Sequence, residues 1–223
     1  MFKLTRLISF QADAAEAERA ALGACLRAVA AARPEVLRAY LAPTQPGHVN
    51  GGDLVWHLQF ADEASCSRAL GSPGWRDVDR ALATDSVAHL DGVGYRQELL
   101  HIGAPGFSGG LHRTLLIAVR PGTTAAKIAA FEAEMRDMAR YLPCIRNWGF
   151  SRVTDGIGAR RWTHVWEQDF DNVGALYGPY LNHPIHFAHI DRWFDTQSHD
   201  FIVDTYIGHT FCAVERSMLA PAS

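Results

Sequence analysis

Hydrophobic and polar positions follow a regular order through the first half of the chain. Alternation of the two predicts strands, and longer runs rich in Ala, Glu, Arg and Leu predict helices. The predicted elements are a strand at 2–10, a helix at 13–32, strands at 36–41 and 54–60, a helical stretch at 62–83 broken near 71–74, and extended residues at 87–102. Asp13 is the expected N-cap of the first helix.

The same order of elements recurs in the second half. The predicted elements there are a strand at 112–120, a helix at 123–141, strands at 144–153 and 162–170, a helical region at 173–195 and a last strand at 201–211. Pro184 breaks the helical region, as Pro73 breaks its counterpart. Phe60 precedes Pro73 by thirteen residues, and Phe170 precedes Pro184 by fourteen. The chain is therefore predicted to be an internal repeat.

Each half has the order βαββαβ, which is typical of a ferredoxin-like unit. We predict an α+β fold with a first repeat at 1–102, a glycine- and proline-rich linker at 103–110 and a second repeat at 111–216. Helices would cover one face of each sheet. The other faces would pack together into a dimeric-type α+β barrel within one chain, enclosing a cavity suited to a small molecule.

Composition narrows the function classes. The chain has 223 residues, of which 48% are hydrophobic and 20% charged, with a formal net charge of -3. Basic residues form no stripe, so a nucleic-acid partner is not expected. No apolar run is long enough to span a membrane or to act as a secretory signal. The four cysteines are widely spaced, which favours reduced thiols, and we expect a cytoplasmic location.

Candidate chemistry is concentrated in the second half, which holds seven of the eleven histidines. The densest stretch, 177–189, contains Tyr180, His183 and His186. A histidine exchanges a proton near neutral pH, and a tyrosine hydroxyl donates to a developing oxyanion. The three histidines of this stretch lack the His-x-x-x-His spacing of a helical zinc site, so no metal is predicted.

The second half resembles the stress-responsive dimeric A/B barrel (Dabb) domain family, in particular its polyketide-cyclase members. The likeness spans about residues 111–206. It depends on His112, on Thr163-His164-Val165 with Phe170, on Tyr180-Leu-Asn-His183-Pro184-Ile-His186, and on Ile202-Val203-Asp204. The resemblance implies that Tyr180 and His186 are the catalytic pair.

The resemblance also implies supporting residues around that pair. His112, His164 and Asp204 would border or support the pocket, although packing in the core is an equal alternative for the two strand histidines. His183 would lie beside the site with a mainly structural role. The first repeat carries Leu70-Gly71-Ser72-Pro73-Gly74-Trp75 in place of the motif. One site per chain is therefore expected.

These observations predict a cofactor-independent lyase or cyclase that acts on an aromatic, phenolic or polyketide-like molecule. His186 would move the proton and Tyr180 would stabilise the oxyanion. The sequence leaves two alternatives open: a cofactorless or haem-dependent oxidoreductase of the same fold, and a non-catalytic stress or ligand-binding barrel. Homo-oligomer formation also remains open.

Overall fold

Two antiparallel sheets form the framework in the computed structural model, which describes residues 1–220. The first repeat contributes β1 (Phe2–Phe10), α1 (Glu16–Ala31), β2 (Val36–Pro43), β3 (Leu54–Phe60), α2 (Glu63–Leu70), α3 (Pro73–Leu82), β4 (Val87–Arg96) and β5 (Leu99–Ile102). The second contributes β6 (Ser108–Ile117), α4 (Ala125–Met138), β7 (Asn147–Arg152), β8 (Asp155–Ile157), β9 (His164–Phe170) and β10 (Gly208–Arg216). The predicted α+β fold is confirmed.

The first helix begins two residues later than an Asp13 cap requires. Its N-cap is Ala15, and the Glu18 carboxylate accepts the Ala15 amide hydrogen at 2.9 Å. Residues before the cap form a turn instead, in which the Ala14 amide donates to the Gln11 carbonyl at 3.1 Å. The prediction that Asp13 caps the helix was wrong, because a glutamate inside the first turn satisfies the free amide.

The long helical region predicted at 173–195 is broken into short irregular turns. A single α-turn at Val173–Ala175 leads into π-helical turns at Leu176–Tyr180 and Ile185–Ile190 and a 3₁₀ turn at Asp191–Trp193. Pro179 and Pro184 lack amide hydrogens, so a regular α-helical ladder cannot continue through them. We call Leu176–Ile190 the irregular segment.

The last strand also lies later than predicted, at 208–216 instead of 201–211. The Ile202 and Val203 amides donate to the Trp193 carbonyl at 3.1 and 3.0 Å, and Val203 forms an isolated bridge with Val119. These residues therefore hold the turn that follows the irregular segment, and the continuous pairing with β6 begins only at Gly208.

Each sheet takes a short edge strand from the other repeat. The first sheet has the order β2-β3-β1-β4-β8 and the second the order β10-β6-β9-β7-β5. Thus β5, near the end of the predicted first repeat, pairs with β7, and β8 of the second repeat pairs with β4. Strand β6 begins at Ser108, inside the predicted linker. The two repeats are joined by backbone hydrogen bonds as well as by the linker.

Side-chain alternation gives each sheet an outer face covered by helical segments and an inner face turned toward the other sheet. On β6, Leu111, Leu115 and Ile117 belong to the outer core, whereas Leu116 packs between the sheets with Leu7 of β1. This alternation decides which predicted site residues can meet. Across residues 1–220, no helix combines the length and hydropathy that a bilayer crossing requires.

Candidate active site

Tyr180 and His186 lie side by side on the outer face of the second sheet. Their ring centroids are 4.7 Å apart, and the rings are inclined by 64°. Tyr180 is 1% exposed and packs against Phe170, whereas the His186 side chain is 14% exposed. The π-helical turns on both sides of Pro184 bring the two side chains together.

The strands beneath Tyr180 carry polar side chains that sequence reasoning missed. The Arg113 guanidinium carbon lies 5.3 Å from the centre of the Tyr180 ring, and its Nη1 donates to Gln168 Oε1 at 2.5 Å. Trp166 Nε1 and Gln168 Nε2 are buried, and neither finds a hydrogen-bond partner within the described residues. Hydrogen-bond donors of three residues are therefore gathered around the tyrosine.

Burial raises the pKa of Tyr180 above its ordinary value of 10, although the Arg113 charge and the polar hydrogens of Gln168 and Trp166 act in the opposite direction. The phenol therefore keeps its proton at neutral pH. A protonated phenol can donate a hydrogen bond to an oxygen that gains negative charge.

His209, on β10, completes the polar surroundings of Arg113. Its Nε2 accepts from Arg113 Nε at 2.7 Å. Burial lowers the pKa of His209 well below 6.5, and the nearby charge of Arg113 lowers it further. The imidazole is therefore neutral and acts as an acceptor. His48 and His186 are close enough to His209 to act in the same direction.

A carboxylate lies beside His186, the second member of the pair. His186 Nδ1 lies 3.4 Å from Asp191 Oδ1, within the turn that follows the irregular segment. A carboxylate beside one ring nitrogen restricts the orientation of an imidazole. This arrangement suits a histidine that accepts and returns a proton.

A loop of the first repeat borders the same region. The Tyr177 hydroxyl donates to the Pro46 carbonyl at 3.4 Å, and Val49 pairs with His209 through two backbone hydrogen bonds of 2.9 and 2.8 Å. Gly47 has a φ of 96° and lies against the Tyr177 hydroxyl, where a Cβ would clash. The loop between β2 and β3 therefore packs directly on the irregular segment.

The predicted supporting residue His112 lies on the opposite face of the sheet. Its Nδ1 is 2.8 Å from Asp169 Oδ1 and its Nε2 is 3.3 Å from Glu167 Oε1, all between the two sheets. Strand alternation places the next residue, Arg113, beside Tyr180 instead. His112 is thus separated from the Tyr180–His186 pair by the sheet itself.

His164 lies on the outer face of β9 but away from the pair. It precedes Gln168 by four residues, or about 13 Å of extended strand. Its ring stacks on Phe150 at 5.4 Å, and its Nε2 is 2.9 Å from Glu132 Oε1. It lines a separate cavity of about 550 Å³ together with Arg161 and Trp162.

His183 and Asp204 have local structural contacts. His183 Nδ1 accepts the Ile185 amide hydrogen at 3.2 Å, which holds the turn at Pro184. Asp204 Oδ1 accepts the Tyr206 amide hydrogen at 2.8 Å and pairs with Arg160 at 3.1 Å. Of the six predicted residues, the structure brings Tyr180 and His186 together, with His183 in the same segment.

Solved structures of similar architecture extend over the whole chain. An anthrone oxidase-like protein has a TM-score of 0.68 at 10% identity, with 100% of this chain and 96% of that chain covered. A candidate monooxygenase from Lactobacillus acidophilus has a TM-score of 0.55 at 11% identity, covering 96% and 95%. Chlorite dismutase from Candidatus Nitrospira defluvii has a TM-score of 0.53 at 10% identity, covering 96% and 91%. At these identities the likeness establishes the fold alone.

Sequence comparison identifies the second repeat specifically. No curated protein matches the chain significantly. A family match covers residues 111–207, which include most of β6, all of β7 to β9, the Tyr180–His186 pair and the turn after the irregular segment. Residues 111–207 of this chain therefore match the stress responsive A/B barrel domain family.

Proposed function

We propose that the protein is a cofactor-independent lyase or cyclase whose active site is built around Tyr180 and His186. The observation that carries the proposal is the 4.7 Å approach of the two rings beside buried, unpartnered donors. The resemblance of this motif to that of olivetolic acid cyclase supports the same roles. The substrate would be a phenolic or polyketide-like aromatic carbonyl compound.

His186 would remove a proton next to the substrate carbonyl and return it later in the reaction. The Asp191 carboxylate beside Nδ1 would stabilise the imidazolium formed in between. Such a proton transfer serves aldol-type ring closure, and in the reverse sense it serves loss of a carbonyl or carboxyl group from a phenolic ring.

Tyr180 would stabilise the oxygen on which negative charge develops. Its raised pKa keeps the phenolic proton in place for donation. Trp166 Nε1 and Gln168 Nε2 offer further donors, and Arg113 supplies positive charge in a region shielded from water. Preorganised donors of this kind lower the energy of an enolate-like transition state.

Substrate entry requires movement of the irregular segment, because Tyr180 is buried. Four cavities of 370–600 Å³ on the described surface are lined by other residues. Phe187 is 56% exposed and Tyr177 and Leu181 are also exposed, so this segment presents an apolar surface to an aromatic molecule. Pro179 and Pro184 interrupt its α-helical hydrogen-bond ladder, which makes local opening less costly.

The test is turnover of a panel of phenolic and polyketo carbonyl compounds by purified protein and three variants. His186→Ala should lower kcat by about two to four orders of magnitude, and Tyr180→Phe by about two to three. His189→Gln is the matched control: it lies in the same segment, is exposed, and should keep full activity.

Three outcomes would contradict the proposal. Folded His186→Ala protein with normal kcat would remove the histidine from proton transfer. Turnover that depends on dioxygen would favour the oxidoreductase alternative. Ligand binding that survives loss of both side chains, with no turnover of any compound, would favour a binding protein.

A further inference from the structure

A second polar cluster lies between the two sheets, on the side opposite the Tyr180–His186 pair. It contains His57 of β3, His112 of β6 and Glu167 of β9, each no more than 1% exposed. One ligand atom of each residue lies within 4.8 Å of the ligand atoms of the other two. Three strands from both repeats therefore hold two imidazoles and a carboxylate around one point.

Neighbouring side chains fix the orientation of both imidazoles. His57 Nδ1 contacts Thr5 Oγ1 at 3.0 Å, and His112 Nδ1 contacts Asp169 Oδ1 at 2.8 Å. Asp169 is itself held by Asn147 Nδ2 at 2.9 Å. Metal-ligating histidines use one ring nitrogen in this way, often toward a carboxylate, while the other binds the ion.

The free ring nitrogen of His57 is the second independent sign of a ligand. His57 Nε2 is buried and has no hydrogen-bond partner among residues 1–220. The nearest groups include His112, whose ring centroid is 5.1 Å from that of His57, and Glu167. A buried polar atom without a partner is costly, and an ion bound at this point would remove that cost.

A cation already compensates the buried carboxylate. Lys3 Nζ lies 2.5 Å from Glu167 Oε1 and also donates to the Met218 carbonyl at 3.1 Å. His112 Nε2 lies 3.3 Å from the same carboxylate oxygen, so two basic side chains face it. The carboxylate is therefore ionised and available as a ligand, with Lys3 as competitor.

We propose that His57, His112 and Glu167 form a binding site for a divalent first-row transition ion, with Zn²⁺ the best match. Zinc accepts two imidazoles and one carboxylate and keeps a fourth position for another ligand. The ion would bind His57 Nε2, His112 Nε2 and a Glu167 oxygen and so cross-link the two repeats. This proposal departs from the prediction of no metal that the sequence supports. That prediction considered the spacing within one stretch, whereas these three residues are far apart in the chain.

An ion can bind here only if it replaces a proton and displaces the Lys3 side chain. The ion replaces the Nε2 proton of His112 and displaces the ammonium of Lys3 from Glu167. The proton that leaves His112 passes to solvent, and the Lys3 ammonium keeps its hydrogen bond to the Met218 carbonyl.

The C-terminal segment packs against the cluster. The Met218 carbonyl accepts from Lys3 Nζ and from Gln59 Nε2 at 2.7 Å, Met218 and Leu219 are buried, and Met218 belongs to the core between the sheets. An ion must therefore enter while the sheets are separated, which occurs during folding. Refolding in the presence of metal is the appropriate way to load the site.

The experiment refolds the full chain with Zn²⁺ or Co²⁺ alone, desalts it, and measures bound metal per chain. The chain should retain one equivalent, and the Co²⁺ form should show a tetrahedral d–d absorption spectrum. His57→Gln should lower metal retention at least tenfold. His199→Gln, which removes an exposed histidine, is the matched control and should retain the metal.

Lys3→Met provides a variant that does not remove a ligand. Because it eliminates the competing cation, it should bind Zn²⁺ at least as tightly as the parent chain, and Zn²⁺ should raise its melting temperature. Less than a tenth of an equivalent retained by both the parent chain and Lys3→Met would overturn the proposal. Equal metal loss in His57→Gln and His199→Gln would overturn it as well.

Discussion

The outer faces of the two sheets have equivalent strand pairing but carry different side chains. Phe2 pairs with Phe60 in the first sheet, as Leu111 pairs with Phe170 in the second. Two residues further along β1 and β6, the first repeat pairs Leu4 with Leu58. The second repeat pairs Arg113 with Gln168 at that position. The same position in the ladder is therefore apolar in one repeat and charged in the other.

The covering segments differ in the same way. Trp75 follows Pro73 by two residues and stacks on Trp56, with ring centroids 5.4 Å apart and planes 13° apart. His186 follows Pro184 by two residues and meets Tyr180. The first repeat uses this position to complete a core, whereas the second uses it to place a titratable group at a partly exposed edge. Loss of packing at one copy of a repeat allows a polar site to form there.

The largest difference in stability should come from truncating these equivalent residues. Trp75→Ala removes a 5% exposed indole from the first core and should cost about 3–5 kcal/mol in the free energy of unfolding. His186→Ala should cost no more than about 1–2 kcal/mol, because its ring is partly exposed and belongs to an irregular segment. Urea denaturation of both variants measures the difference. Equal costs would show that the second segment is packed as rigidly as the first.

Substitutions at the Arg113–Gln168 pair test the second difference between the repeats. Arg113→Leu alone should cost about 1–3 kcal/mol, because Gln168 and His209 lose a buried hydrogen-bond partner. The double change Arg113→Leu with Gln168→Leu reproduces the leucine pair of the first repeat and should recover part of that cost. Its turnover should remain low. A double variant no more stable than the single one would show that the leucines cannot pack there.

The smallest expected effect is a pH dependence that arises at His209. Its pKa is lower in the folded state than in the unfolded state, mainly through burial, so below pH 6.5 the unfolded chain binds the extra proton. Stability should therefore fall as pH decreases, by at most about 1.4 kcal/mol per pH unit for this group. His209→Gln keeps an acceptor for Arg113 but cannot titrate. Denaturation at pH 7 and pH 5.5 should show a smaller loss in this variant, and an unchanged loss would assign the effect to other histidines.

Much of the architecture could be predicted from local pattern. The alternation in 2–10 and 54–60, the interruption near Pro73, and the recurrence of the same order after residue 110 are all present in the structure. Other features required pairing information. The exchange of β5 and β8 between sheets depends on which edges meet once the sheets pack, and nothing in those short runs specifies a partner.

The order of elements, the α+β class and the closeness of Tyr180 to His186 follow from local sequence, because they depend on nearby residues and on Pro184 between the pair. The neighbours of that pair follow from long-range packing. A strand alternates its faces residue by residue, so whether His112 or Arg113 reaches Tyr180 depends on the packing of β6 and β9 beneath the irregular segment. The cluster of His57, His112 and Glu167 likewise exists only because two sheets bring distant strands together.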